Sequence, residues 1–309
     1  MSRTLLLAAA AALGLAARPG VPQEPPVFEV GLDIVNVTVT VRDEKGQLVS
    51  NLQAEDFSVL EDGREQKLLV FASAKDPADR EELALNLGML FDTSSSMREN
   101  LKLSQHSAIR FLEAIPRAKD LILIFFDDDI RISRYNSENQ QGIFERILDT
   151  ESTGYTALCD SIAVYVSRVM GTPGRKVLVI FSDGADNRSS TRASDVMRLV
   201  RSSNVTISPV AFALKQVIRA NDQVRARAFL GELARASGGE VFRPAAAGDL
   251  AEIYAQILDE LSSQYVLGYV SDNPKRDGKY RELKVEVSRE DLKVRHRPGY
   301  DAPEPPPEG

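Results

Sequence analysis

Three short segments of the chain carry oxygen-bearing side chains in patterns suited to binding a cation. They are DTSSS at 92–96, GYTAL at 154–158 and FSDG at 181–184. The side chains with a carboxylate or hydroxyl oxygen that we single out are Asp92, Ser94, Ser96, Thr156 and Asp183. Hard cations prefer oxygen ligands, and Mg²⁺ takes about six of them at roughly 2.0 to 2.1 Å, usually retaining several waters. We therefore predict one divalent metal on these five side chains, Mg²⁺ first, with Mn²⁺ or Ca²⁺ as alternatives.

The charge of this predicted ligand set favours a docking role for the metal. Asp92 and Asp183 carry the only two carboxylates of the set, and the other three ligands are neutral hydroxyls. Two carboxylates just balance a divalent ion, so the metal keeps electrophilic capacity for a further oxygen ligand. An anion from outside the protein is the ligand that we expect at that position.

The segments before and between these motifs predict the elements that position them. Nearly continuous apolar runs, typical of strands buried on both faces of a parallel sheet, occupy 83–91, 121–126, 177–181 and 205–212. Apolar residues recur at helical spacing in 101–115, 141–148, 158–170, 194–202, 224–236 and 250–261. This alternation predicts an α/β fold with a doubly wound, mostly parallel sheet. Because ligand sites in such sheets lie at the carboxyl ends of the strands, we expect the three motifs to meet there.

Both ends of the chain have β character without intervening helices. Apolar and polar residues alternate in 33–42, and further strands are predicted at 57–60, 66–71, 265–269, 280–288 and 292–297. An Asp62-Gly63 pair favours a tight turn between the second and third of these. Three strands would be marginal as a separate sheet. We therefore expect both ends to pair into one small antiparallel β unit, with the α/β domain inserted in it.

The chain begins with an apolar run at 5–15, followed by the small residues Ala16 and Ala17. This run is shorter than the roughly 20 residues that a membrane-spanning helix needs, so it predicts a cleaved secretory signal. The predicted segments are a signal peptide at 1–17, a linker at 18–27, an N-terminal β segment at 28–75, the α/β domain at 83–261, a C-terminal β segment at 264–300 and a disordered tail at 301–309. We expect an exported protein, periplasmic or extracellular, with no stable membrane span after signal removal.

At the five predicted ligands the sequence resembles the von Willebrand factor type A family. The metal-ion-dependent adhesion site (MIDAS) of that family reads D-x-S-x-S, then a Thr, then an Asp, and the resemblance extends over about 83–261. It implies Mg²⁺ held directly or through water, an acidic residue of a partner protein completing the coordination, and a C-terminal helix that shifts between affinity states. The flanking segments EDFSVLEDG, QYVLGY, YRELKVEV and RHRPGY look like a bacterial subgroup, the von Willebrand factor A-related proteins.

Several residues have a structural interpretation beside the functional one. The DxSxS pattern also occurs where a Ser caps a helix. The acidic run 127–129 is a second metal site, a catalytic acid cluster or a solvated loop, and we expect the loop. Asp186 and Asn187 either orient Asp183 or belong to a simple polar loop, and the sequence leaves both interpretations open.

The residues that catalysis would need are scarce. Cys159 is the only cysteine, and His106 and His296 are the only histidines, so we expect a buried thiol and no thiol nucleophile with a base. No GxSxG or glycine-rich phosphate motif is present. The net charge of -7 comes from acidic residues spread along the chain, which argues against nucleic acid as a partner.

Three classes of function follow. The leading hypothesis is a binding module of the adhesion type, not an enzyme, whose partner is a protein presenting Asp or Glu. The second is a structural or assembly role in the cell envelope with a structural metal. The third is a metal-assisted hydrolase, because a bound divalent ion can activate water.

Overall fold

The computed structural model describes residues 33–80, 83–115, 120–135, 141–213, 220–245 and 249–305. The predicted signal peptide and linker lie outside the described residues. The strands are β1 (Ile34–Arg42), β2 (Phe57–Glu61), β3 (Arg64–Gln66), β4 (Leu68–Ser73), β5 (Leu85–Asp92), β6 (Asp120–Phe126), β7 (Ile130–Tyr135), β8 (Arg175–Ser182), β9 (Val205–Ala211), β10 (Tyr265–Val270), β11 (Tyr280–Val287), β12 (Lys293–Arg295) and β13 (Gly299–Asp301). The helices are α1 (Leu101–Ala114), α2 (Gln141–Leu148), α3 (Leu158–Val169), α4 (Ala193–Ser202), α5 (Ala220–Ser237) and α6 (Asp249–Leu261).

The central sheet has the strand order β7-β6-β5-β8-β9. Strands β6, β5, β8 and β9 are parallel, and β7 is antiparallel to β6 at one edge. Helices α1, α2 and α6 contribute to the apolar core on one face, and α3, α4 and α5 contribute to the core on the other. The predicted doubly wound, mostly parallel sheet is thereby confirmed, and burial on both faces explains why its strands read as continuous apolar runs.

Strand β7 was not predicted. It reads IRISRY, and most of its residues are only half-buried because it pairs on one side alone. An edge strand of this kind lacks the continuous apolar run that identified its neighbours. Strand β7 turns back beside β6, and this places Arg131 of β7 next to the loop 127–129 that joins the two strands.

The two ends of the chain form antiparallel sheets together. One has the order β12-β1-β10-β4 and the other β13-β11-β2-β3, and their facing side chains share one apolar core. Val37 of β1 pairs with Leu267 of β10, across the whole inserted domain. The predicted antiparallel unit from both chain ends is confirmed, but it is a sandwich of two sheets. The turn at Asp62 and Gly63 joins β2 to the short β3, after which the chain crosses into the other sheet.

Order continues past the predicted start of the tail. Asp301 ends β13, pairs with Tyr280 of β11, and accepts hydrogen bonds from Arg201 Nε of α4 at 3.1 and 3.0 Å. Asp301, the first residue of the segment predicted to be disordered, is therefore ordered by its contact with the central domain. Among the residues that the structure describes, no helix is long and apolar enough to cross a membrane.

Candidate metal centre

Asp92 is the last residue of β5 and its carboxylate is buried. Its Oδ1 atom accepts hydrogen bonds from the Ser94 backbone N–H at 3.0 Å and from the Ser94 hydroxyl at 2.6 Å. The Ser182 hydroxyl, at the end of the neighbouring strand β8, donates to Oδ2 at 2.6 Å. These donors fix the orientation of the carboxylate from both adjacent strand ends.

The two serines of the first motif that are predicted to be ligands lie together. The hydroxyl oxygens of Ser94 and Ser96 are 3.0 Å apart, and a 3-10 turn at Ser95–Met97 brings them to the same side as Asp92. Ser94 stands at the N-cap of this turn, yet its side chain caps no backbone N–H and bonds Asp92 instead. The helix-capping interpretation of DxSxS is therefore not supported at Ser94.

Asp183 follows β8 directly and is only 1% exposed. Its Oδ1 atom accepts a hydrogen bond from the Ala185 N–H at 2.9 Å. Its Oδ2 atom is buried and has no hydrogen-bond partner among the described residues. A buried carboxylate oxygen without a donor is unfavourable in a folded protein, which marks this atom as a position for a cation.

Burial and charge act together on the two carboxylates. Burial, and then the negative charge of Asp183, raise the pKa of Asp92. Burial also raises the pKa of Asp183, and the hydrogen bond from the Ala185 N–H only partly offsets that rise. Both directions mean that the ionised pair is disfavoured without a positive charge beside it. A divalent cation relieves that penalty, so the residues present fit the predicted group.

Thr156 lies buried in the loop before α3. Main-chain hydrogen bonds join this loop to the first motif, from Ser95 N–H to Gly154 O at 3.2 Å and from Thr153 N–H to Thr93 O at 2.8 Å. Two others join it to the segment that follows the third motif, because the Thr156 carbonyl accepts from the N–H groups of residues 187 and 188. The structure thus holds the three predicted motifs together at the carboxyl edge of the sheet.

The acidic run after β6 differs from the expected solvated loop at its first residue. Asp127 is 5% exposed and accepts hydrogen bonds from both Arg131 Nη atoms, at 3.0 and 2.7 Å. Burial raises the pKa of Asp127, but the bonds from Arg131, Asp129 N–H and Thr93 hold it below its ordinary value. The expectation was wrong for Asp127 because β7 returns Arg131 to it, whereas Asp128 and Asp129 are exposed.

The Arg131–Asp127 pair contacts the first motif through Thr93. The Thr93 hydroxyl donates to Asp127 Oδ2 at 2.9 Å and accepts from Arg131 Nη2 at 3.0 Å. Sequence reasoning missed this contact and also missed Ser182. A local signal existed for Ser182, which immediately precedes Asp183, but none indicated that Arg131 would reach Thr93.

The other titratable candidates lie in different surroundings. Cys159 is buried, and burial raises the pKa of its thiol. His106 bonds the Lys102 carbonyl on α1, and His296 bonds Val285 in the terminal sandwich. Across the described ranges, no three His, Cys, Asp or Glu side chains group as a metal site. An ion at the sheet edge would therefore depend on two carboxylates with hydroxyl oxygens.

The von Willebrand factor type A domain family matches residues 88–185, a span that includes all five predicted ligands. This part of the chain is therefore similar in sequence to von Willebrand factor type A domains. No curated protein matches the sequence.

Several solved structures are similar to parts of this chain at low sequence identity. A von Willebrand factor type A protein from Catenulispora acidiphila is 12% identical, with a TM-score of 0.50 over 83% of this chain and 76% of that one. An aerotolerance-related membrane protein from Bacteroides fragilis is 12% identical, with a TM-score of 0.45 over 57% and 98%. The pilus adhesin SpaC from Lactobacillus rhamnosus GG is 9% identical, with a TM-score of 0.49 over 86% and 48%.

Proposed function

We propose that this protein is a metal-dependent binding module that captures an acidic side chain of a partner protein. The observation that carries the proposal concerns two buried carboxylates, Asp92 and Asp183. The Asp183 Oδ2 atom has no hydrogen-bond partner within the described part of the chain. Neutralising two buried carboxylates and satisfying an orphaned oxygen are what a bound divalent cation does.

The residues that would hold Mg²⁺ are Asp92, Ser94, Ser96, Thr156 and Asp183. When bound, the ion supplies an electrophilic position for a carboxylate. The chain's own residues prepare that position: Ser94 and Ser182 fix the Asp92 carboxylate, and Ala185 fixes one oxygen of Asp183. The remaining ligands are neutral hydroxyls, so the set leaves the charge of the ion free to attract an anion.

The surface beside the site suits contact with a protein. Tyr155 directly precedes Thr156, and its side chain is 62% exposed. Exposed tyrosines are enriched at protein interfaces because they bury a large area with little loss of side-chain freedom. We propose that Tyr155 lies at the rim of the docking surface around the metal.

We also propose that the role is binding and not catalysis. A hydrolase needs a base that takes a proton from water or a nucleophile. His106 and His296 bond backbone groups on α1 and in the sandwich, and the Cys159 thiol is held protonated by burial. Export to the periplasm or the cell exterior is proposed from the N-terminal apolar run and the small residues after it.

Two measurements on the full chain test the proposal. Calorimetric titration of Mg²⁺ into EDTA-treated protein should show one binding site, and Asp92→Ala should abolish it. A cell-envelope protein should then be retained by the immobilised chain in Mg²⁺ and released by EDTA. Changing the contacting Glu or Asp of that partner to Gln or Asn should prevent retention. Retention that survives both EDTA and Asp92→Ala would contradict the proposed function.

A further inference from the structure

We propose that Asn187 is a positioning residue that holds Thr156 in place as a metal ligand. The inference rests on the metal site proposed above. Asn187 is not one of the predicted ligands. It lies four positions after Asp183, in the segment that meets the Thr156 loop.

The two residues form a reciprocal pair of hydrogen bonds. The Thr156 N–H donates to Asn187 Oδ1 at 2.8 Å, and the Asn187 N–H donates to the Thr156 carbonyl at 3.1 Å. The Arg188 N–H donates to the same carbonyl at 3.0 Å. Both polar main-chain groups of Thr156 are therefore satisfied by the segment that follows Asp183.

Thr156 depends on this partner because of where it lies in the chain. It is buried, and the residues just before it, 153–155, are exposed. Helix α3 begins only at Leu158, so the helix supplies no acceptor for the Thr156 N–H. A buried N–H without an acceptor is strongly disfavoured, and the Asn187 amide oxygen is what prevents that here.

The neighbouring residue Asp186 has a different task. Its Oδ2 atom accepts the Cys159 N–H at 2.7 Å, in the first turn of α3. A carboxylate at this end of a helix satisfies a free N–H and interacts favourably with the helix dipole. Asp186 therefore holds the helix, whereas Asn187 holds the predicted ligand.

This arrangement matches neither of the two interpretations that the sequence left open. Asn187 bonds Thr156, and Asp186 bonds the N–H groups of Cys159 and Ser189. No described hydrogen bond joins either side chain to the Asp183 side chain. The Asp183 carboxylate is held separately by Ala185 N–H, within the same short segment. One stretch of chain, 183–187, consequently fixes two predicted ligands that are distant in sequence.

A matched set of variants of the full chain tests the inference by calorimetric titration with Mg²⁺. Asn187→Ala should weaken binding by about ten- to a hundredfold, the usual effect of removing a group that orients a metal ligand. Asn187→Asp keeps the acceptor and should restore affinity. Ser189→Ala is the control, because the Ser189 hydroxyl accepts the Asp160 N–H of the same loop junction at 3.1 Å without touching Thr156. It should bind Mg²⁺ like the unmodified chain.

A double variant separates positioning from general stability. If Asn187 acts through Thr156, Asn187→Ala should have no further effect on affinity in a chain that already carries Thr156→Ala. Equal losses in both backgrounds would overturn the inference, as would normal Mg²⁺ binding by Asn187→Ala. Those results leave the metal site standing if the unmodified chain binds Mg²⁺. An unmodified chain that binds no divalent ion would instead overturn the proposed function.

Discussion

The carboxylates of Asp92 and Asp183 are buried at the same edge of the central sheet, and the charge of Asp183 adds to burial in raising the pKa of Asp92. Each ends or follows one of two adjacent parallel strands, β5 and β8. The pairing of these strands places the two carboxylates close together whether or not a cation neutralises their negative charge. Binding of the proposed cation would therefore be coupled to stability through this pair.

Replacing Asp183 should stabilise the metal-free protein. Asp183→Asn keeps the shape of the side chain and removes one of two repelling buried charges. We expect its melting temperature in EDTA to rise by about 2 to 4 °C, equivalent to about 1 kcal/mol for a domain of this size. Added Mg²⁺ should stabilise the unmodified chain and leave the variant unchanged, as measured by thermal unfolding. Asp129→Asn, at an exposed position, is the control, and a destabilised Asp183→Asn would contradict the prediction.

The raised pKa values of this pair predict a pH dependence of defined sign. A carboxyl whose pKa is higher in the folded state favours folding most when it is protonated, and that stability is lost as pH rises through the folded pKa. We compare the free energy of unfolding of the metal-free chain with that of metal-free Asp183→Asn. The difference, unmodified chain minus variant, should therefore fall as pH rises above 3.8, the ordinary carboxyl pKa. Mg²⁺ affinity should rise over the same interval because protons compete with the metal. A difference that grows with pH would refute this account.

The surroundings of His296 in the terminal sandwich predict a second pH dependence of stability, opposite in sign to the first. Its Nε2 atom accepts the Val285 N–H at 3.1 Å, so Nδ1 carries the proton and donates to the Arg297 carbonyl at 2.7 Å. Burial lowers the pKa of His296 below 6.5. Stability is then full above that value and is lost as pH falls towards the folded pKa, where the ring becomes charged. Denaturant unfolding at pH 7.5 and 5.5 should show this loss.

A variant of His296 tests this origin of the pH dependence. His296→Gln should reduce the change in stability between the two pH values, because the Gln side chain does not titrate. An unchanged pH dependence in His296→Gln would exclude this residue as its source.

The sandwich also depends on one buried ion pair. Arg281 Nη1 lies 3.2 Å from Glu61 Oε1, and both side chains are almost fully buried. The hydroxyls of Tyr269 and Tyr300 donate to Glu61 Oε2 at 2.7 and 2.9 Å. Arg281→Met leaves the Glu61 charge without its counter-ion and should lower the free energy of unfolding by about 3 to 5 kcal/mol. Denaturant unfolding measures this loss.

A matched variant makes the result specific to burial. Lys284 on the same strand pairs with Glu286 at the surface. Lys284→Met should leave stability close to that of the unmodified chain, because exposed ion pairs contribute little. Equal effects of the two variants would show that burial of the Arg281–Glu61 pair is unimportant.

The sequence by itself determined the central fold and the candidate ligands. Strands buried on both faces must be apolar throughout, so β5, β6 and β8 were visible as runs, and the motifs of Asp92 and Asp183 follow two of them directly. Edge strand β7 gave no such run, because a strand with one neighbour keeps polar residues.

Only the tertiary structure decided which side chains support the ligands. Arg131 reaches Asp127 and Thr93 because β7 turns back, and Asn187 reaches Thr156 across 31 positions of the chain. The sandwich likewise depends on β1 meeting β10. Periodicity reports how buried a residue is, but a hydrogen bond between distant segments depends on how complete elements pack, and local sequence does not encode that directly.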